Sequence, residues 1–298
     1  MAVIDIEHLT KDYGSRKGVF DVSLQIEKGE VYGYLGPNGA GKSTTMRHLM
    51  GFSQPQSGNT SICGMDCWKN QKEIQNRLGY LPGEISFPDD MTGANYLRLI
   101  EKMRGMKDSS RTEELADFFE IDTDCGLKRM SKGMKQKIGI IAAFMHDPEI
   151  LLLDEPTSGL DPLMQNRFVQ LVEEERERGK TILLSSHIFE EVEKTCSRVG
   201  MIRRGRLVEE FTIDELRHSQ FKTYKIEFDS EADIERFLKV YPRAEFDKAK
   251  KQVSVSINDR EINALIEELA EYRLHFLKEE KHTLEDYFMR FYGGEEND

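Results

Sequence analysis

The stretch Gly36-Pro37-Asn38-Gly39-Ala40-Gly41-Lys42-Ser43-Thr44 fits the pattern G-x-x-x-x-G-K-[ST]. Its glycines let backbone N–H groups turn inward around an anionic phosphate chain. Lys42 is placed to reach the terminal phosphates, and the Ser43 hydroxyl suits Mg²⁺. Two more positions fit the same chemistry. The apolar run Ile150-Leu151-Leu152-Leu153 ends in Asp154-Glu155, and open α/β sheets bind ligands beyond the carboxyl ends of such strands. There Asp154 can hold Mg²⁺ through water, and Glu155 can act as general base or orient an attacking water. His187 closes the run Thr181-Ile182-Leu183-Leu184-Ser185-Ser186. A lone histidine is more often structural, but at a strand end beside a phosphate site it is read as contacting the γ-phosphate.

Two further segments carry weaker signals. Tyr13 follows the first strand in the polar stretch Lys11-Asp12-Tyr13-Gly14. It is either an aromatic face for a nucleotide base or a surface tyrosine packed on the strand. Met130-Ser131-Lys132-Gly133-Met134-Lys135-Gln136 opens a helix that Ser131 can cap. A capped helix start beside Gly and Lys is a second anion site or a plain helix beginning.

The elements that must position these groups follow from periodicity. Val31–Leu35 reads as a buried strand before the phosphate loop, with a helix from Thr44 to Met50 after it. Residues 3–9 and 20–26 alternate apolar with polar, as antiparallel strands with one buried face do. Short strands are expected at 60–62 and 78–81, the second stopped by Pro82-Gly83. Residues 88–147 read as a helical insertion. Tyr96, Ile100 and Met103 share one face there, as do Leu115, Phe118 and Phe119, and both sets are expected in its core; Lys102 to Arg111 is a charged connector. A helix over 163–178 and strands over 199–203 and 206–209 complete a domain of residues 1–220. From residue 221 the pattern restarts as β-α-β-α-β, a small α+β sandwich of ferredoxin-like type over 221–298. Leu284, Tyr287, Phe288 and Phe291 predict a last amphipathic helix.

The whole chain has 298 residues and a formal net charge of −12. That balance argues against broad nucleic-acid binding, which needs a basic face. The longest near-continuous apolar run, Ile138 to Met145, is too short to span a bilayer, and no signal peptide is visible at the start. A cytoplasmic location is therefore expected, with any membrane role acting through a partner. Cys63, Cys67, Cys125 and Cys196 make no zinc pattern and read as ordinary thiols.

With these motifs in this order, residues 1 to about 215 resemble the nucleotide-binding subunit of an ATP-binding cassette transporter. The phosphate loop looks like its Walker A, and Leu151 to Glu155 like its Walker B with the catalytic glutamate. Ser158-Gly159-Leu160-Asp161 is similar to the D-loop, His187 to the switch histidine and Tyr13 to the adenine-stacking aromatic. Met130 to Met134 stands where the family has Leu-Ser-Gly-Gly-Gln; Lys132 and Met134 depart from it, a form resembling the bacterial drug and bacteriocin exporter branch. The Q-loop glutamine is absent near Gly83, where Glu84 could take the metal or water contact.

The resemblance implies an α/β P-loop NTPase cassette: a mixed sheet core with an antiparallel β subdomain and a helical subdomain, plus the small C-terminal α+β domain. It implies ATP and Mg²⁺, with Glu155, His187 and Lys42 in catalysis. Tyr13, Gly36, Asn38, Gly39, Ala40, Gly41, Lys42, Ser43, Thr44, Ser131, Gly133 and Asp161 would hold the nucleotide, and Ser43, Asp154 and Glu84 the metal. Expected partners are an integral membrane permease and a second nucleotide-binding subunit, identical or paralogous, with no nucleic acid. The permease is expected to dock near residues 80–100, placing the chain on the inner face of the membrane. The competing readings are a soluble cassette ATPase of DNA repair or translation, and a sensor that binds ATP without useful hydrolysis. One cassette without a heptad run disfavours the first; intact Asp154, Glu155 and His187 disfavour the second.

Overall fold

The structure, a computed structural model, describes residues 2–217, 221–280 and 284. The chain divides into two compact units, Met1–Thr212 and Ile213–Asp298.

In the first unit, strands β1 (Ala2–Asp12) and β2 (Gly18–Glu27) pair antiparallel. β1 also pairs with β4 (Ser57–Ile62), which carries the two-residue β5 (Met65–Asp66). Ile4, Ile6, Val22, Leu24 and Ile26 are buried and alternate with more exposed neighbours, as the pattern requires. A second sheet contains β3 (Val31–Leu35), β6 (Leu78–Leu81), β7 (Ile150–Asp154), β8 (Thr181–Ser186), β9 (Arg198–Arg203) and β10 (Arg206–Thr212), in the order β10-β9-β3-β8-β7-β6. All neighbours are parallel except the β9–β10 pair. β3, β7 and β8 are buried along their whole length, which explains their continuous apolar runs.

Helix α1 (Lys42–Leu49) contacts β2, β4 and β7, between the two sheets. Met46 and Leu49 share a core there with Tyr32, Tyr34, Leu152 and Ile202. In this unit two helices escaped the periodicity reading: α2 (Gln71–Arg77), which buries Ile74, and α7 (Phe189–Thr195), which packs on β3 and β8.

Helices α3 (Gly93–Arg104), α4 (Ser110–Phe118) and α5 (Lys132–Phe144) form the helical segment, with α3 and α4 each against α5. The expected connector 102–111 shrinks to residues 105–109 because α3 runs on to Arg104. The expected core face of α3 is also corrected. Met103 is 75% exposed, while Gly93, Leu97 and Glu101 are the buried positions. Glu101 belongs inside because its carboxylate accepts hydrogen bonds from Thr112 Oγ1 (2.6 Å) and Ser109 Oγ (3.1 Å). Helix α6 (Pro162–Glu177) is tied to α4 through buried Glu175, which pairs with Arg111 and also with Arg178.

The second unit contains α8 (Ile213–Arg217), β11 (Phe221–Phe228), α9 (Glu231–Val240), β12 (Glu245–Asp247), β13 (Gln252–Asn258), α10 (Ile262–Leu269) and β14 (Leu274–Glu280). Its antiparallel sheet has the order β12-β13-β11-β14, so the element order is β-α-β-β-α-β, the ferredoxin-like arrangement. Three-residue β12 is too short to leave a pattern in the sequence. Ile226, Phe228, Phe237, Val253 and Leu265 fill the core of this unit. Of the expected terminal helix, Leu284 is buried; Tyr287, Phe288 and Phe291 lie outside the described residues.

Candidate functional site

The phosphate loop connects β3 to α1, with the helix beginning at Lys42. Gly41 caps it at φ 114°, a conformation that favours glycine. The loop is pinned by the Gly205 N–H donating to the Ala40 carbonyl (2.8 Å), and Val19 of β2 packs at Gly41. Ala40 is buried; Asn38, Gly39 and Ser43 are exposed at the mouth, and Thr44 is half-buried.

Lys42 is 4% exposed, and its ammonium donates to the carbonyls of Gly36 (2.8 Å) and Pro37 (3.3 Å). Its Nζ also stands 3.2 Å from Glu155 Oε1. Glu155 follows β7 at φ 49°, with its N–H donating to the carbonyl (3.1 Å) and hydroxyl (3.2 Å) of Ser185. Its other carboxylate oxygen lies 3.4 Å from His187 Nδ1, just past β8. Two side chains, Lys42 at the start of α1 and His187 just past β8, therefore meet at the carboxylate that follows β7. Asp154 is 2% exposed, and the Ser185 hydroxyl donates to its Oδ1. The other oxygen, Oδ2, has Gly83 beside it; a Cβ there would stand 3.0 Å away. Glu84 itself is exposed, so Gly83 is the residue set against that carboxylate.

The remaining predicted residues lie around this centre or apart from it. Tyr13 is 55% exposed in the β1–β2 turn, with its hydroxyl 3.3 Å from Ser53 Oγ. Ser131 caps α5 by accepting from the Met134 N–H (3.2 Å). Among the described residues, no hydrogen bond or ion pair joins Ser131 or Gly133 to residues 36–44. The α5 start packs instead on the loop after Glu155: Lys132 Nζ donates to Ser158 Oγ (2.8 Å), and a Cβ on Gly133 would stand 2.6 Å from the Gly159 carbonyl oxygen. Asp161 caps α6, accepting from the Met164 N–H (3.0 Å).

Several contributors to the site leave only a faint mark in the sequence. Buried Gln136 of α5 donates to the carbonyls of Pro156 (2.8 Å) and Glu155 (3.3 Å), holding the loop that carries the acid pair. Ser185 and Ser186 are buried at the end of β8. Hydroxyls closing an otherwise apolar strand, and an amide on the apolar face of α5, were the available signals. Glu191 of α7 is buried beside Ser186. Burial pushes its carboxyl up to about 7, with the hydroxyls of Ser186 and Thr157 opposing the rise and the charge of Glu155 adding to it.

This arrangement, a phosphate loop on a parallel strand with an acid pair and a histidine at the neighbouring strand ends, defines a P-loop nucleotide-binding protein. A family model described as ABC transporter matches residues 19–158. A second, described as an AAA domain (putative AbiEii toxin, Type IV TA system), matches residues 126–193. The bacitracin transport ATP-binding protein BcrA of Bacillus licheniformis is 38% identical over 218 residues, covering 72% of this chain and 71% of that protein. The protein of the same name from Enterococcus faecalis is 32% identical over 98% of this chain and 97% of its own length. A solved ATP-binding subunit of an ABC transporter matches with a TM-score of 0.66 at 30% identity, over 72% of this chain and 92% of that one. The chain belongs to the ABC transporter family as an ATP-binding subunit, and its enzymatic activity is ATP hydrolysis. Among the described residues, no helix is long and apolar enough to cross a membrane.

Proposed function

We propose that the chain is one half of an ATP sandwich that drives a separate membrane permease in export. The observation that carries this reading is the meeting of Lys42 and His187 on the two oxygens of Glu155. Glu155 pairs with the lysine that phosphates need. On binding, Lys42 exchanges this carboxylate for the terminal phosphates, and the loop N–H groups with the start of α1 take the rest of the anionic chain. The released Glu155 accepts a proton from the attacking water, and His187 holds the γ-phosphate as charge moves onto it. Tyr13 offers its exposed ring to the base.

Ser43 and Asp154 fit Mg²⁺. Both are hard oxygen donors, and the space beside Asp154 Oδ2 depends on Gly83 having no side chain. The described residues hold no cluster of three or more His, Cys, Asp or Glu, which suits an ion that takes most of its ligands from phosphates and water. When bound, the ion neutralises charge on the phosphates.

Ser131 and Gly133, which sit at the α5 start against the 158–159 loop, are assigned to the nucleotide of a second subunit, with Asp161 near that junction. The permease is assigned to the face around residues 80–100, which would hold the chain at the inner side of the membrane. Relatives named for bacitracin transport support a drug or peptide-antibiotic exporter. The test is Glu155→Gln with ATP. The variant is expected to bind ATP and accumulate as a dimer, with phosphate release down about a hundredfold or more. Rapid turnover by this variant would overturn the assignment.

A further inference from the structure

The loops that carry Glu155 and His187 come from different strands, and a buried carboxylate outside the reacting set stands between them. Glu191, in the first turn of α7, is 6% exposed. Its Oε2 accepts from Ser186 Oγ at 2.6 Å. The same Ser186 oxygen accepts from the Ile188 N–H at 2.9 Å, closing a three-residue turn with His187 at its middle. Ser186 has one hydroxyl proton. While that proton is committed to Glu191, the serine lone pairs face the Ile188 N–H, so the carboxylate decides how the turn is held. Among the described residues Glu191 Oε1 makes no direct hydrogen bond, though the nearby Thr157 hydroxyl favours the ionised carboxylate. Glu191 shares a cavity of about 250 Å³ with Thr157, two residues beyond Glu155, and with Gln165 and Asn166 of α6.

We infer that Glu191 is a positioning residue for hydrolysis, setting His187 against Glu155 by locking the Ser186–Ile188 turn. The inference rests on the roles proposed above for Glu155 and His187. It adds a residue that touches neither nucleotide nor water and acts through the serine.

The carboxyl of Glu191 changes charge close to neutrality, at about 7. Among the described residues, the charged and titratable groups around it are Glu155, Glu190, Lys194 and Cys196. α6 presents the neutral amides of Gln165 and Asn166, and β3 presents Gly33 to α7. The ionised form accepts the Ser186 hydrogen bond most strongly. The contribution of Glu191 to turnover therefore rises with pH across this window.

The experiment measures steady-state ATP hydrolysis from pH 6 to 8.5, with ATP affinity measured separately, for wild type, Glu191→Ala, Glu191→Gln, Ser186→Ala, His187→Ala and the Glu191→Ala/His187→Ala pair. Glu191→Ala and Ser186→Ala are expected to lower kcat about tenfold or more while leaving ATP affinity within about twofold, since misplacing a catalytic group costs rate rather than ground-state binding. Glu191→Gln keeps an acceptor for Ser186, so it retains most of the rate at pH 7 but loses the part of the pH dependence that Glu191 supplies. It also keeps the test open if the alanine variant fails to fold. The double variant is expected to be no slower than His187→Ala alone. Full activity in Glu191→Ala, an unchanged pH profile in Glu191→Gln, or additive losses in the double variant would each overturn the inference. If His187→Ala is itself fully active, the underlying reading of His187 has failed, and that result is distinct from a failure confined to Glu191.

Discussion

Lys42 is the residue on which nucleotide affinity turns. It is buried, and its nearest acceptors are two loop carbonyls and Glu155. Lys42→Ala removes the cation that the terminal phosphates exchange for these partners, so ATP binding is expected to be lost in a calorimetric titration; unchanged affinity would count against the loop assignment. At the same scale Glu191 links protonation to stability. Its carboxyl is raised from 4.5 to about 7 by burial, so the folded state favours the neutral form. That contribution is complete below the unfolded value near 4.5 and is lost as pH rises through about 7, where the buried charge becomes a cost. Gln carries no such charge. Glu191→Gln is therefore expected to gain melting temperature over wild type at pH 8 relative to pH 5, read by thermal melts at both values; an equal difference at the two pH values would show that the carboxyl is not raised. The phosphate loop stands out in the sequence because phosphate binding demands Gly41, Lys42 and Ser43 in one contiguous run. Gln136, Ser186 and Glu191 do not, because a buried polar side chain looks the same in sequence whether it satisfies a neighbour or faces water.

Among the elements, α5 is the one whose start matters most to the site. Ser131 caps it, Gly133 lets it approach the 157–161 loop, and Gln136 holds the carbonyls after β7. In Gly133→Ala the added carbon would meet the Gly159 carbonyl oxygen at 2.6 Å, so helix and loop must separate. Reduced ATP hydrolysis with near-normal nucleotide affinity is expected, read by phosphate release beside a binding titration. Gln136→Leu leaves two carbonyls short of a buried donor and is expected to lower stability by about 1–3 kcal/mol, measured by denaturant unfolding. Strands β1, β2, β3, β7 and β8 could be read from alternation or continuous apolar runs. Helix α2, which buries Ile74 alone, has no stripe to show. The Tyr96-Ile100-Met103 stripe misled because Leu97 and a hydrogen-bonded Glu101 occupy the buried ridge. Periodicity records hydrophobicity, and it cannot anticipate a carboxylate whose partners come from another helix.

On the scale of the whole molecule, the chain is two units, and the ATPase chemistry lies in the first. ATP added to Glu155→Gln is expected to double the mass in sedimentation or light scattering, and Gly133→Ala in the same background should weaken that shift. Affinity capture in mild detergent from native cells is expected to bring down a polytopic membrane protein in fixed stoichiometry; a soluble complex holding nucleic acid would move the weight to repair or translation. What the amino-acid sequence determined by itself was the reaction class and the order of the motifs, because phosphate-binding segments and alternating strands are local in the chain. What only the tertiary structure decided was which groups share Glu155, which residue abuts Asp154 and which carboxylate holds the His187 turn. Those contacts join β3, β7, β8 and α7 across parallel strands, where side chains distant in sequence become neighbours through the sheet register, and no local pattern encodes that register.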